Sequence, residues 1–204
     1  MLAVVVEGTS FALNGANLTY RFHVDVTTGD LISDHFGALV TEDPIAEIKP
    51  NGGGYSVQEH LRREFPNRGR GDFRSPAVRI RHTASHDVSR FQYTSHSIVA
   101  GKPELSGLPA TFAAESEATT LIIRMHDSHS SIRANLSYSI FPEHNAIARS
   151  AQLINESDET VTVEKLASFA IDLPHNEYDL LQLRGEWTRE CTRTRRKVDY
   201  GTQG

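Results

Sequence analysis

Ten histidines are the first side chains in this sequence that could do chemistry, and metal binding is the chemistry they suggest. A histidine metal site needs ligands whose spacing folds them onto one ion, as in His-x-His or His-Glu-x-x-His. Neither pattern occurs. His82 and His86 are four apart, but the residues between them read as a strand end and a turn, and His126 and His129 flank a turn-like Asp127-Ser128. Surface or network histidines, and no metal or other cofactor, are the expectation. A Gly-x-Ser-x-Gly nucleophile elbow and a Walker-type phosphate loop are both missing from the sequence.

Cys191 lies in Arg189-Glu190-Cys191-Thr192-Arg193, where the arginines could lower a thiol pKa. No base accompanies it, so an inert thiol is expected. A single cysteine excludes an internal disulfide framework and a cysteine-based zinc site. Arg189, Arg193, Arg195, Arg196 and Lys197 form a basic cluster, and the alternation Thr192-Arg193-Thr194-Arg195 would hold Arg193 and Arg195 on one face of a strand. No aromatic stacking residues follow Trp187 in that cluster, so a solvated or domain-packing face is expected rather than a nucleic-acid patch. Asn17, Asn135 and Asn155 begin Asn-x-Ser/Thr triplets, which would matter only in a secreted chain. Carboxylates are plentiful. A glycosidase needs two of them about 5–10 Å apart across the scissile bond, a distance that spacing alone does not show.

The elements that would position these groups are strands. Ser131–Ile140 alternates apolar and polar residues almost strictly, Leu121–His126 does so after a short apolar start, and Thr160–Leu166 does so with one slip at Glu164-Lys165. Alternation of this kind places one set of side chains on each face of a half-buried strand. Ser10–Leu13, Leu18–Val26, Ala77–His82 and Phe91–Val99 are further candidates. Turn signals separate them at Asn14-Gly15, Thr28-Gly29-Asp30, Gly101-Lys102-Pro103, Ser106–Pro109 and Asn155–Asp158. Many short strands with turns between them predict an all-β chain, an antiparallel sandwich or barrel with no clear internal domain boundary. One short helix is expected over Ser56–Glu64, with Ser56 as N-cap and Glu59 at the capping-box position, ended by Pro66. Asp43–Gly54, with its prolines and three consecutive glycines, and Asn67–Gly71 read as irregular loops. Such loops are either solvated connections or recognition surfaces.

Composition sets the outer limits. The chain has 204 residues, 38% of them hydrophobic, with 21 Lys and Arg against 26 Asp and Glu, a formal net charge of −5. That length is enough to bury a substantial core without staples. The negative balance argues against a general nucleic-acid binder. The longest apolar run, Met1–Val6, is too short for a membrane span or a signal h-region, so no signal peptide is visible, no membrane partner is expected and a cytoplasmic location is favoured.

One ordered set of motifs is more informative. Arg63-Glu64-Phe65-Pro66 followed by Gly71-Asp72-Phe73-Arg74-Ser75-Pro76-Ala77 closely resembles the Arg-Glu-Tyr-Pro…Gly-Asp-Phe-Arg-x-Pro-Ala stretch of glycoside hydrolase family 36 α-galactosidases. Phe91–His96, Gly101–Thr111, Leu136–Tyr138, Ile147–Ser150 and Asp179–Glu190 continue the resemblance in the same order, from roughly Phe11 to the end.

The resemblance is to the N-terminal part of that family. It implies a large antiparallel β-sandwich, a supersandwich similar to galactose mutarotase. In the family this sandwich precedes a (β/α)₈ barrel that hydrolyses terminal α-galactosyl residues with retention, using a carboxylate nucleophile and a carboxylic acid/base. A barrel takes about 250 residues by itself, so no catalytic residue is expected within 1–204. In relatives the sandwich continues beyond the Arg-Lys cluster, so a fragment or truncated product is expected here.

The function implied by the resemblance is that of a domain supporting the barrel, the active-site mouth and, in the full-length form, a homotetramer. The α-galactoside substrate would then be reached only through the full enzyme. Asp43–Tyr55 falls where a mouth-lining loop would lie. Asp72 and Arg74 either orient substrate hydroxyls or a barrel loop, or form an internal ion pair that holds the turn. Trp187 is either a sugar-stacking platform or a buried inter-sheet side chain. The alternative to the whole reading is a stand-alone carbohydrate-binding or interaction module.

Overall fold

The computed structural model describes residues 2–41, 61–69, 71–83, 86–107, 110–173 and 177–199. The Asp43–Tyr55 loop, the Ser56–His60 half of the expected helix and residues 200–204 lie outside the described residues. The chain divides into two compact units, Met1–Ile171 and Asp172–Gly204.

The first unit is a β-sandwich. β1 (Val4–Glu7), β2 (Ser10–Asn14), β3 (Leu18–Val24) and β4 (Leu31–Ala38) form one antiparallel meander. β5 (Val78–Arg81) pairs with β10 (Thr162–Leu166), while β6 (Phe91–Ala100), β7 (Thr119–Asp127), β8 (Ile132–Phe141) and β9 (Ala146–Asn155) form a second four-stranded meander. Among the described residues every pairing between named strands is antiparallel, and Asn67 makes one isolated parallel bridge to Val78. The second unit carries the hairpin of β11 (Asp179–Arg184) and β12 (Thr192–Lys197).

Period-two patterning explains which faces are buried. Along β8, Ile132, Ala134, Leu136, Tyr138 and Ile140 are buried while Arg133, Asn135 and Ser137 are partly exposed. Across the sandwich, Phe11, Leu13, Tyr20 and Phe22 from the first sheet meet Leu121, Ile123, Leu136 and Tyr138 from the second in one core. Phe22 stacks on Tyr138 with ring centroids 4.9 Å apart. Burial on this scale contributes roughly 1.5–3 kcal/mol per large apolar side chain.

The slip at Glu164-Lys165 is a register shift. β10 loses step with β5 between Val163 and Lys165, as a bulge inserts one residue on one strand. The expected helix does not form in its described half. Leu61–Glu64 runs along β4 instead: Ser33 N–H donates to Arg62 C=O at 2.7 Å, Glu64 N–H donates to Leu31 C=O at 2.9 Å, and Arg63 bridges Ile32. Pairing with an available sheet edge satisfies these backbone groups, so the local capping preference is overridden. Among the described residues the only helical turn is a 3-10 turn at Pro142–His144.

Candidate functional site

Arg63 and Glu64 are adjacent on an extended spur, so their side chains point to opposite sides. Each enters a separate buried charge network. The Arg63 guanidinium donates to Asp30 Oδ2 at 3.0 Å and to Asp72 Oδ2 at 3.1 Å, and all three side chains are at most 3% exposed. Asp72 also receives Arg74: Nε donates to Oδ1 at 2.9 Å, a terminal nitrogen to Oδ2 at 2.8 Å, and the Arg74 backbone N–H to Oδ1 at 3.1 Å. A fourth Arg74 bond, to Leu61 C=O at 2.6 Å, ties the turn back to the spur.

Burial alone would raise the Asp72 carboxyl. The hydrogen bonds from Arg74, with the charges of Arg74 and Arg63, outweigh it and hold the group below its usual range. The internal ion pair is thus the arrangement present at Asp72 and Arg74. Within that clamped turn, Phe73 projects into solvent at 85% exposure.

On the other side of the spur, Glu64 is enclosed by the core. Tyr20 donates its hydroxyl to Glu64 Oε2 at 2.5 Å and Tyr138 donates to the same oxygen at 3.3 Å, while Arg149 lies 3.1 Å from it. Arg149 also donates to Glu64 C=O at 2.6 Å and to Ala170 C=O at 3.3 Å, and its guanidinium lies over the rings of Tyr138 and Phe169. Burial pushes the Glu64 carboxyl up against the opposing pull of Arg149 and the three hydroxyls of Tyr20, Ser33 and Tyr138. Burial, with Glu64's charge beside it, keeps Tyr20 neutral and donating. No motif spacing announces this network. Its signal lies in three of the family-like segments, Arg63–Pro66, Leu136–Tyr138 and Ile147–Ser150, which converge on the Glu64 carboxylate.

These carboxylates are engaged structurally. Asp30 and Asp72 share one guanidinium and are closed off from solvent, so neither is presented to a substrate as an acid or a nucleophile would be. Among the described residues no group of three or more His, Cys, Asp and Glu side chains converges as metal ligands would. The His82 and His86 rings stack on each other, with centroids 4.6 Å apart. Asn67 is buried, its amide donating to Phe65 C=O at 3.2 Å, so the Asn67–Gly71 segment starts inside the fold rather than as a solvated loop.

In the second unit, Trp187 sits in the connection between β11 and β12 at 90% exposure, so it is not a buried inter-sheet side chain. The tip is shaped by a turn in which Arg189 N–H donates to Glu186 C=O at 2.9 Å, and by left-handed backbone at Thr188 and Cys191. Cys191 is free and exposed. Arg193 and Arg195 are two apart on β12, and Arg195 pairs with Asp179 at 2.5 Å.

Comparison with known proteins gives a consistent result. Residues 29–204 match the glycosyl hydrolase family 36 N-terminal domain. A probable α-galactosidase C of Aspergillus flavus is 52% identical over 204 residues, and α-galactosidase 2 of Hypocrea jecorina is 52% identical over 203. These matches take in 99% and 98% of this chain but 27% of either relative, so the chain spans about a quarter of their length. The crystal structure of the GH36 α-galactosidase AgaB from Geobacillus stearothermophilus superposes with a TM-score of 0.87 at 29% identity, covering 97% of this chain and 29% of that one. A variant of AgaA from the same organism, in complex with raffinose, superposes with a TM-score of 0.84 at 30% identity, covering 93% and 28%.

Proposed function

The chain belongs to the glycosyl hydrolase family 36 N-terminal domain family, and from that premise we propose that it serves as the N-terminal β-sandwich of an α-galactosidase whose catalytic barrel lies outside these 204 residues. The whole enzyme hydrolyses terminal α-galactosyl residues of oligosaccharides with retention, through two carboxyl groups of the barrel. The sandwich contributes no catalytic residue. It supports the barrel, shapes the active-site mouth and takes part in a homotetramer. The observation that carries this reading is 52% identity, along 99% of the chain, to a protein described as a probable α-galactosidase C of which the chain spans 27%.

The geometry supports a positioning role for the best-matched loop. Asp72, wholly engaged by Arg63 and Arg74, holds the turn, and Arg74, whose side chain is 38% exposed, is its contact toward substrate or barrel. Trp187, with an open indole face, is a platform for the apolar C–H side of a pyranose.

The test is an assay on a chromogenic α-galactoside. The 204-residue chain by itself should give no turnover, and the same residues joined in frame to a family barrel should give a product of retained configuration. Substantial turnover by the chain alone would overturn the assignment. A second reading, a stand-alone carbohydrate-binding or interaction module, is favoured by the 90% exposure of Trp187. Calorimetric binding of galactose or melibiose by the isolated chain that is abolished by Trp187→Ala, with no turnover gained on joining a family barrel, would select it.

A further inference from the structure

A cleft of about 380 Å³ opens beside the end of β8, lined by Thr111, Phe112, Glu117, Phe141, His144 and the start of β9 at Ala146–Ala148. Each of its walls is anchored by hydrogen bonds. On one side, Ala114 N–H donates to Glu117 Oε2 at 2.7 Å and Glu117 N–H donates to Ala114 C=O at 3.0 Å, closing the turn that follows Phe112. Next to that loop, Gly101 N–H donates to Ala118 C=O at 2.8 Å. On the other side, the Pro142–His144 turn ends at Asn145 in left-handed backbone, whose Oδ1 accepts from Asn17 N–H at 2.7 Å, and Ala16 N–H donates to Pro142 C=O at 3.1 Å. Gly15 makes that contact possible, since a Cβ there would come within 2.7 Å of Asn145 Oδ1.

The lining is chemically divided. Phe112 is 80% exposed and Phe141 is 9% exposed, so one open ring and one nearly buried ring line the cleft together. Glu117 and His144, both exposed, supply an acceptor and an imidazole. A purely aliphatic occupant would remove the second Glu117 oxygen from water without giving it a donor, which is costly. A neutral polyol ring offers hydroxyls to those two groups and a flat C–H face to the phenylalanine, the mixture of apolar wall and few polar groups that small-ligand sites use.

We propose that this cleft is a sugar-binding subsite for a terminal pyranose, with Phe112 beneath the ring's C–H face and Glu117 and His144 hydrogen-bonding its hydroxyls. It goes beyond the α-galactosidase reading and does not depend on it, because the chain alone carries every group involved. The test is amide shift mapping of the 204-residue chain during titration with methyl α-galactoside and with melibiose. Saturable shifts should centre on Phe112, Glu117, His144 and Ala146. Phe112→Ala and Glu117→Gln should each weaken binding about tenfold, with melting temperature unchanged for Phe112→Ala, while Phe73→Ala, an equally open phenylalanine elsewhere, leaves binding unaltered.

No saturable shift, shifts confined to the Trp187 hairpin, or wild-type affinity in Phe112→Ala would each overturn the proposal. So would a salt-sensitive response to free arginine without one to sugars, which would assign the cleft to a cationic partner. None of these outcomes touches the turnover assay, so the two readings fail separately.

Discussion

Glu64 and Arg149 are 85 positions apart in the chain and 3.1 Å apart in the fold, where the pair ties the spur beside β4 to strand β9 through the centre of the sandwich. Side-chain exposures of 1% for Glu64 and 5% for Arg149 leave water little part in stabilising either charge.

Removing one member of this pair should therefore be far worse than removing both. Arg149→Ala leaves a carboxylate enclosed with two phenols, and a loss of about 3–5 kcal/mol is expected by chemical denaturation. The double replacement Glu64→Leu with Arg149→Leu should recover most of that loss, because an apolar pair of similar volume no longer carries the desolvation cost. Additive losses in this pair of variants would show that the ion pair is not what holds the spur.

Acid should act through Asp72. Its carboxyl titrates lower in the folded chain than the free value of about 3.9. The stability it contributes is thus complete above that value and is lost as pH falls through the folded one. Melting temperature should drop below about pH 4, and Asp72→Asn should flatten that limb while lowering stability at neutral pH. An unchanged acid slope in Asp72→Asn would count against this linkage.

Gly69 makes two separable demands. Its φ of +93° is poorly tolerated by other residues, and a Cβ would approach Val88 Cγ1 to 2.4 Å. Gly69→Ala is expected to cost about 1–3 kcal/mol. Adding Val88→Ala should return only the part due to the clash, leaving the backbone strain behind. Full recovery in the double variant would mean that the backbone conformation carries no penalty.

Two phenylalanines should behave oppositely. Phe22 is fully buried and stacks on Tyr138, so Phe22→Ala should cost about 3–5 kcal/mol. Phe73 is 85% exposed, and Phe73→Ala should stay within about 0.5 kcal/mol. Thermal melts of the two variants side by side decide the matter, and equal shifts would contradict the burial pattern.

The strands are readable where apolar and polar residues alternate. Ser131–Ile140 alternates, and β8 occupies Ile132–Phe141 with the expected faces. Thr160–Leu166 alternates too, and its slip at Glu164-Lys165 is the β10 bulge, although all five residues of β10 are exposed rather than half-buried. β4 and β9 carry weaker alternation. β9 is an edge strand whose residues are mostly half-buried, so period two has little burial contrast to impose. The short helix over Ser56–Glu64 rests on capping residues alone. In its described half the backbone hydrogen bonds go to β4, a partner distant in sequence.

By themselves, the residues determined an all-β chain of one family, because alternation and ordered motifs are local properties that survive in a string of letters. Only the tertiary structure decided what Asp72, Arg74 and Trp187 are in this fold: a carboxylate bound by two guanidiniums, its partially exposed clamp, and an open indole on a hairpin tip. It alone joined Tyr20, Glu64, Tyr138 and Arg149 into one network. The physical reason is that burial and charge pairing depend on which distant segments meet, and a desolvated ion pair exists only once the sandwich has closed around it.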